Sequence, residues 1–228
     1  MKAVILSGGI GKRLKPLTDY LPKPLVPIEG VPIIEWQIRY FKKFGIKEFV
    51  VCAGYLSKQL VNFLESKDFG AKFQFSIEKT PLGTAGAIKK AEKYLRGDSF
   101  FVTNGDIITN IDLLKLKEHK NSIAVIPLRT SFGIVNVNSN NVERFEEKPE
   151  IFNYWMNAGI YYLNSDIIKN LPKQGNMETS VFPMFAEKRK LHATKYTKVF
   201  WNSIDSFKDL EDCVFNMKKY HYADFVSK

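Results

Sequence analysis

The sequence predicts an α/β fold with a mostly parallel sheet. Three short apolar runs, at residues 3–6, 49–52 and 100–102, have the length and composition of strands that are buried on both faces. Residues 33–44 and 56–64 lie between these runs and carry apolar side chains at helical spacing. Strands that alternate with helices in this way are typical of layered α/β domains.

The remaining elements follow in chain order. Residues 73–77 alternate like a strand, residues 85–95 return to helical spacing, and a last helix is predicted over residues 207–222. The second half is richer in short strands, which we expect to add antiparallel strands beside the main sheet: residues 123–128, 134–137, 142–145 and 160–163. No repeat or linker divides the chain, so we expect one domain over residues 1–228.

The composition narrows the classes of partner. The formal net charge of +10 favours anionic partners. No basic patch is interleaved with aromatic residues, so we predict phosphorylated small molecules and no nucleic acid. Cys52 and Cys213 are isolated, which fits neither a disulfide framework nor a thiolate metal site. No segment approaches the ~20 apolar residues of a membrane span, so we expect no membrane association and a cytoplasmic location.

The segment that leaves the first predicted strand carries the strongest chemical signal. Ligands of open α/β sheets bind at the carboxyl ends of the strands, and residues 7–24 begin there with SGGIGKRLKPLTDYLPKP. The glycines let backbone N–H groups approach a phosphate, and the Lys and Arg side chains add positive charge. A Walker A loop is excluded, because Arg13 stands where Ser or Thr is required. A dinucleotide fingerprint is excluded, because Leu14 stands where glycine is required.

This segment resembles the signature of the sugar-1-phosphate nucleotidyltransferase family (NDP-sugar pyrophosphorylases), GGxGxRLxPLTxxxPKPLxPI. It fills every defined position from Gly8 to Ile28. The resemblance implies a three-layer, Rossmann-like fold with helices on both faces of the sheet. It also implies transfer of a nucleoside monophosphate from an NTP to a sugar 1-phosphate, with release of pyrophosphate. Arg13 would then stabilise the triphosphate and Lys23 would contact phosphate, both as catalytic residues.

A second motif, EKTPLGTAGAIKKA at residues 78–91, concerns the base. Its Gly-rich turn opens a predicted helix, whose N-terminus attracts a negative or hydrogen-bonding ligand and which Thr84 is placed to cap. The family carries a similar element facing the base, which implies that Gly83 and Thr84 contact base or ribose. The implied nucleotide-binding residues are Leu6, Ser7, Gly8, Gly9, Gly11, Lys12, Arg13, Gly83 and Thr84. Two of them depart from the family pattern, because Ser7 replaces the usual Ala and Lys12 a frequent Thr.

Two acidic residues are predicted to hold Mg²⁺. Asp106 follows the third apolar run, and it matches the Asp of the family's GD element, which binds Mg²⁺ and makes Asp106 a catalytic residue by resemblance. Near the end of the chain many members keep a second metal-binding Asp where this chain has Ser203. A variant pattern, W-x-x-x-D-[ST], instead selects Asp205. From the residues alone, Asp205 is equally a helix N-cap, a role that Ser206 is also able to fill.

The acceptor side is implied by two further elements, FEEKP at residues 145–149 and NAGIYYL at residues 157–163. On composition alone the charges of the first element would be an exposed surface. The resemblance implies that these elements and a preceding glycine hold the sugar phosphate through Gly133, Glu147, Lys148, Asn157 and Gly159.

Several alternatives stay open. The fold also suits a cytidylyltransferase for a non-sugar phosphate, such as phosphocholine or a cyclitol phosphate, and a catalytically silent regulatory subunit. The presence of Arg13, Lys23 and Asp106 argues against a silent subunit. The motifs do not fix the base, so guanylyl-, thymidylyl- and uridylyltransferases of mannose, glucose or heptose 1-phosphate all fit. Many relatives continue into a C-terminal β-helix, which we do not expect in this protein, and a homodimer is a further expectation.

Overall fold

The structure is a computed structural model that describes residues 1–130 and 132–227. A seven-stranded sheet forms its centre. The strands are β1 (Lys2–Ser7), β2 (Pro27–Ile28), β3 (Val31–Pro32), β4 (Glu48–Ala53), β5 (Lys72–Ile77), β6 (Ser99–Asn104), β7 (Ile107–Thr109), β8 (Ser122–Arg129), β9 (Ile134–Asn138), β10 (Asn141–Glu146), β11 (Glu150–Asn164), β12 (His192–Lys195) and β13 (Trp201–Ser203).

Helices pack around this sheet. The α-helices are α1 (Leu17–Tyr20), α2 (Ile33–Lys43), α3 (Ser57–Glu65), α4 (Gly83–Lys90), α5 (Glu92–Leu95), α6 (Leu113–Leu116), α7 (Val181–Glu187), α8 (Phe207–Lys219) and α9 (Tyr222–Ser227). Short 3₁₀ turns cover Lys12–Leu14, Lys23–Leu25 and Ser165–Asn170. Within the described residues, none of the helices has both the length and the apolar composition that a membrane crossing requires.

The sheet is mostly parallel, as the apolar runs predict. Its strand order is β12-β8-β11-β6-β1-β4-β5, and β1 pairs in parallel with both β4 and β6. Strand β11 is antiparallel to its two neighbours, β6 and β8, whereas β12 is parallel to β8. The expected antiparallel strands are present, but they are divided between two places. One antiparallel strand lies inside the sheet, and the β9–β10 hairpin forms a separate two-stranded sheet.

Both faces of the sheet are covered, which confirms the expected three layers. Successive side chains of a strand point to opposite faces, so Ala3 and Ile5 of β1 belong to one buried cluster and Val4 belongs to another. The first cluster includes side chains of α2, α3, α8 and α9. The second includes side chains of α4, α5 and α7.

Three predicted elements differ from the structure in their bounds. The helix predicted over residues 85–95 is divided into α4 and α5 at Ala91, and the last predicted helix is divided near His221, where φ is +49°. The strand predicted over residues 160–163 is the end of the 15-residue strand β11. Its first part is irregular, since its pairing with β8 shifts register twice, and such bulges break the alternation that identifies a strand in a sequence.

A buried carboxylate ties α2 to the loop after α3. Glu35 is 7% exposed, and its carboxylate accepts hydrogen bonds from Arg39 Nη2 at 2.7 Å and Lys67 Nζ at 2.5 Å. Burial by itself raises the pKa of Glu35, but the bonds from Lys67 and Arg39 outweigh it, so the pKa lies below its ordinary value. A lowered pKa in the folded state means that the ionised carboxylate stabilises the fold near neutral pH.

We predict that Glu35→Gln lowers the free energy of unfolding by about 1–3 kcal/mol at pH 7. The difference from the wild type should shrink as the pH falls below the ordinary value of 4.5, since the unfolded chain then binds a proton at Glu35, and it should vanish once the folded carboxyl is protonated as well. Urea unfolding at neutral and acidic pH measures both effects. Lys169→Gln is the control, because the Lys169–Asp166 pair is similarly short at 2.7 Å but exposed, and its loss should change little. Equal stability of Glu35→Gln and the wild type at pH 7 would contradict the assignment.

Candidate active site

A cavity of about 610 Å³ opens at the carboxyl ends of β1 and β6. All nine residues predicted to bind the nucleotide border it, together with both predicted metal ligands and Lys23. Its lining residues are Leu6, Ser7, Gly8, Gly9, Ile10, Gly11, Lys12, Arg13, Lys23, Pro24, Glu78, Pro81, Gly83, Thr84, Ala87, Asn104, Gly105, Asp106, Asn176 and Asp205. The tertiary structure thus gathers segments that are far apart in the sequence around one space.

Lys23 lies between the two acidic residues. Its Nζ donates to Asp106 Oδ2 at 2.6 Å and to Asp205 Oδ1 at 2.9 Å. Only 12% of the Lys23 side chain is exposed. Arg13 Nη2 also contacts Asp205 Oδ1, at 2.8 Å, although its own side chain is 72% exposed. Two cations and two carboxylates therefore meet at the edge of residues 8–11, which we call the glycine loop.

Short antiparallel pairing brings the two carboxylates together. Strand β13 pairs with β7 so that Ser203 lies opposite Ile107, the residue after Asp106. The N–H of Ile204 donates to Asp106 O at 2.9 Å and extends this contact by one residue. Ser203 itself donates its hydroxyl to Asp205 Oδ2 at 3.2 Å. The serine that replaces the acid of many relatives thus supports the acid two residues later.

The charge of Asp205 is held by its neighbours. Burial raises the pKa of Asp205, but the hydrogen bond from Lys23 and the charges of Lys23 and Arg13 lower it further than burial raises it. The net pKa lies below its ordinary value, so Asp205 is ionised at neutral pH. An ionised carboxylate is the form that binds a cation.

Asp205 is not the cap of the last long helix. Ser206 is the N-cap of α8, where its side chain and that of Asp209 form a reciprocal capping box. Asp209 Oδ2 accepts from the backbone N–H of both Asp205 and Ser206, at 3.0 and 2.7 Å. The capping alternative for Asp205 is therefore wrong, and its carboxylate is left to face Lys23 and Arg13.

Glu78 borders the cavity and was not identified as a site residue from the sequence. It follows β5, and its carboxylate lies so close to Gly8 that a Cβ on Gly8 would meet Glu78 Oε1. Glycine at position 8 is therefore required for this close approach. Burial raises the pKa of Glu78, partly offset by a backbone hydrogen bond from Leu82. Its position in the sequence could have identified it, because a carboxylate directly after a strand of a parallel sheet lies at the edge where ligands bind.

The N-terminus of α4 is occupied by the protein itself. Gly175 O accepts from the N–H of Ala85 at 3.0 Å and of Gly86 at 3.3 Å, and Asn176 Oδ1 accepts from the N–H of Thr84 at 3.1 Å. These are the groups that a helix N-terminus would otherwise offer to an anion. These three N–H groups are therefore already hydrogen-bonded within the protein, and the predicted nucleotide contacts of Gly83 and Thr84 stay predictions. We call residues 173–178 the clamp loop.

Thr84 does not cap α4, contrary to the expectation. The N-cap is Leu82, which makes no side-chain hydrogen bond. The Thr84 hydroxyl instead donates to Glu178 Oε2 at 2.7 Å and accepts from the N–H of Met177 at 2.9 Å. Thr84 thus fixes the clamp loop while it borders the cavity.

The residues predicted on the acceptor side lie outside the cavity lining described above. Glu147 and Lys148 follow the β9–β10 hairpin and are exposed, with Lys148 Nζ 3.8 Å from Glu147 Oε1. Gly133 lies beside Glu147, because a Cβ on Gly133 would be 3.0 Å from Glu147 Oε2. The hairpin is hydrogen-bonded separately from the main sheet, and none of these three residues is among those that border the cavity.

Two other predicted acceptor residues lie on β11, nearer the cavity. Gly159 faces Asn104, whose Nδ2 would be 2.8 Å from a Cβ at that position, and Asn104 borders the cavity. Asn157 Oδ1 accepts from the N–H of Gly159 at 2.9 Å. The roles of all five acceptor residues stay predictions.

The donor set fits Mg²⁺ only in combination with a substrate. Asp106 and Asp205 present carboxylate oxygens within hydrogen-bonding distance of the same Lys23 Nζ, so the two oxygens converge. Within residues 1–130 and 132–227, no group of three or more His, Cys, Asp or Glu side chains is placed to hold a metal. Mg²⁺ commonly uses one or two carboxylates and completes its shell with phosphate oxygens and water, which matches this pair.

Comparison with known proteins shows the family to which the chain is similar. Residues 2–219 match the family model described as nucleotidyl transferase. The D-glycero-alpha-D-manno-heptose 1-phosphate guanylyltransferase of Campylobacter jejuni is 38% identical over 179 residues, 76% of this chain and 80% of that protein. The mannose-1-phosphate guanyltransferase of Pichia angusta is 35% identical over 226 residues. That match covers 92% of this chain but 62% of the relative, so the chain spans less than two thirds of such relatives.

Solved structures show the same fold. HddC from Yersinia pseudotuberculosis has a TM-score of 0.73 and 27% identity, with 96% of this chain and 99% of that chain covered. The crystal structure of HddC complexed with GMP-PN has a TM-score of 0.73 and 25% identity over the same shares of the two chains.

We predict that Gly83→Ala destabilises the protein more than Gly30→Ala. Both glycines have φ near +75°, where a side chain is strained, but a Cβ on Gly83 would meet Gly175 O, whereas one on Gly30 would have no atom of the described residues within 4 Å. The left-handed backbone should cost each variant about 1–2 kcal/mol, and the collision should cost Gly83→Ala about 1–3 kcal/mol more. Thermal unfolding of both variants measures the difference. Equal losses of stability in the two variants would show that the clamp loop does not contact the start of α4 closely enough to exclude a Cβ at position 83.

Proposed function

Because the chain belongs to the nucleotidyl transferase family, we propose that it transfers a guanylyl group from GTP to a hexose or heptose 1-phosphate and releases pyrophosphate. The observation that carries the proposal is the meeting of Arg13, Lys23, Asp106 and Asp205 at the edge of the glycine loop. The names of the relatives, which are guanylyltransferases of heptose and mannose 1-phosphate, support the base and the acceptor class.

The reaction is an in-line displacement at phosphorus. A phosphate oxygen of the sugar 1-phosphate attacks the α-phosphorus of GTP, and the bond from that phosphorus to the oxygen bridging the β-phosphate breaks. The nucleophile is already an anion, so no general base is required. Catalysis then depends on positioning and on neutralising charge. Arg13 and Lys23 supply positive charge beside the glycine loop, whose residues border the same cavity.

Mg²⁺ would be held by Asp106 and Asp205 together with phosphate oxygens. When bound there, it would neutralise phosphate charge and help to fix the phosphates in line. The support for this proposal is the converging pair of carboxylates, of which Asp205 is kept ionised by Lys23 and Arg13.

The Glu78 carboxylate is our candidate for the guanine contact. Guanine carries two adjacent donors, N1–H and the N2 amino group, and an ionised carboxylate offers two acceptor oxygens and no donor. Uracil and thymine have one ring N–H between two carbonyl oxygens, so a carboxylate pairs with them less well. The position of Glu78 against Gly8, inside the cavity, supports this role.

We predict that Arg13→Ala and Asp106→Ala each reduce kcat by roughly 10²–10³, because each removes a preorganised charge from the transition state. Pyrophosphate release with GTP and mannose 1-phosphate or heptose 1-phosphate measures the loss, and circular dichroism checks the fold. Lys15→Ala is the control, since Lys15 lies on the same segment but pairs with Asp19 instead of facing the cavity. Wild-type kcat in either variant would contradict the site.

We also predict that Glu78→Gln reduces the ratio of kcat/KM for GTP to that for UTP by about 10–100-fold, the worth of one well-formed two-bond contact to a base. An amide offers one acceptor and one donor, which complements uracil better than guanine. A matrix of the common NTPs against several sugar 1-phosphates measures the ratio. Glu65→Gln, which changes an exposed acid at the end of α3, should leave the ratio unchanged. An unchanged ratio in Glu78→Gln would remove Glu78 from base selection.

The same matrix decides between the alternatives. Turnover with phosphocholine or a cyclitol phosphate, but not with sugar 1-phosphates, would favour a non-sugar acceptor. Failure to release pyrophosphate with every pair would favour a silent regulatory subunit. A salt-dependent gel shift tests nucleic-acid binding. A homodimer and a cytoplasmic location stay predictions.

A further inference from the structure

A continuous chain of hydrogen bonds runs from the nucleotide side of the cavity to the acceptor strand. It begins at Thr84 on α4, whose hydroxyl donates to Glu178 Oε2 at 2.7 Å. The other carboxylate oxygen, Glu178 Oε1, accepts from the Tyr161 hydroxyl at 3.1 Å. Glu178 therefore bridges α4 and β11 with its two oxygens.

The chain continues along β11. The Tyr161 hydroxyl accepts from Asn157 Nδ2 at 2.9 Å, and Asn157 Oδ1 accepts from the N–H of Gly159 at 2.9 Å. Asn157 and Gly159 are the residues of β11 that the sequence assigns to the acceptor. The side chain that would meet the sugar phosphate is thus oriented by a group that is itself oriented from α4.

Burial fixes the direction of these bonds. The Tyr161 side chain is fully buried, and burial together with the Glu178 charge raises the pKa of its hydroxyl, so it stays a donor at physiological pH. The hydroxyls of Thr84 and Tyr161 each accept one bond from an N–H group and donate one to Glu178. A carboxylate accepts both, whereas an amide would keep one acceptor and place a donor against the other hydroxyl.

We propose that Glu178 and Tyr161 are positioning residues that couple the nucleotide side of the site to the acceptor side. The inference rests on the proposed function. A nucleotide that contacts the start of α4 stabilises the hydrogen-bonded arrangement of Thr84, Glu178 and Tyr161. It thereby stabilises the orientation of Asn157. By linkage, an acceptor that contacts Asn157 favours nucleotide binding to the same extent.

A double-mutant cycle between the two ends tests the coupling. Thr84→Val removes the first hydroxyl and keeps its shape, and Asn157→Ala removes the last side chain. Within the described part of the chain, Thr84 and Asn157 make no hydrogen bond to each other. If the network did not couple them, the loss of kcat/KM in the double variant should equal the product of the two single losses within about twofold. We expect the double variant to deviate from the product by about fivefold or more. In a Tyr161→Phe background the deviation should fall to within twofold.

Two matched controls separate coupling from a structural loss. Tyr162→Phe removes a hydroxyl from the neighbouring residue of β11, whose ring packs on Phe101 at the opposite face of the sheet, with ring centroids 5.0 Å apart. It should leave the Thr84–Asn157 deviation intact. Glu178→Gln should abolish the deviation, whereas Glu187→Gln, on the exposed end of α7, should preserve it.

The split between the two KM values supplies a second readout. Tyr161→Phe should raise the KM for the sugar 1-phosphate about fivefold or more and change the KM for GTP less, because it releases Asn157 but leaves the Thr84–Glu178 bond in place. Equal changes in both KM values, or multiplicative effects in the double-mutant cycle, would overturn the inference. If the wild type is active, the proposed function is upheld in either case. A wild type that releases no pyrophosphate with any acceptor would overturn both.

Discussion

The candidate active site depends on Lys23, which is held between one carboxylate from the middle of the chain, Asp106, and one from near its end, Asp205. A mostly buried ammonium needs compensating charge, and Asp106 and Asp205 supply it. The same contact brings the glycine loop to the ends of β6 and β13. The remaining features of the site, including the exposed Arg13 and the hydroxyl of Ser203, are arranged around this ion pair.

The small β7–β13 ribbon is the element that makes this contact geometrically possible. It adds nothing to the main sheet, yet its register places Ser203 opposite Ile107 and fixes the approach of Asp205 to Asp106. The capping box at Ser206 and Asp209 then begins α8 directly after Asp205. An acid between a paired strand and a capped helix has little backbone freedom, which suits a site that depends on positioning.

The clamp loop changes how the start of α4 is understood. A helix N-terminus is usually taken as a site that attracts anions, but here Gly175 and Asn176 satisfy three of its N–H groups. The loop therefore borders the cavity beside α4 through Asn176, and the glycine loop stays the predicted phosphate site. Through Glu178 and Tyr161 it also reaches Asn157, so one loop contacts both sides of the site.

The sequence by itself determined the parallel core of the fold, because buried strands and amphipathic helices follow from local periodicity. It also predicted Arg13, Lys23, Asp106 and Asp205 as site residues, because its motifs resemble a family signature, and all four border one cavity. Only the tertiary structure decided that Ser206 caps α8, that Glu78 enters the cavity beside Gly8, and that Thr84 bonds to Glu178 instead of capping α4. These outcomes depend on contacts between residues distant in the chain, and local patterns of residue type carry no information about such contacts.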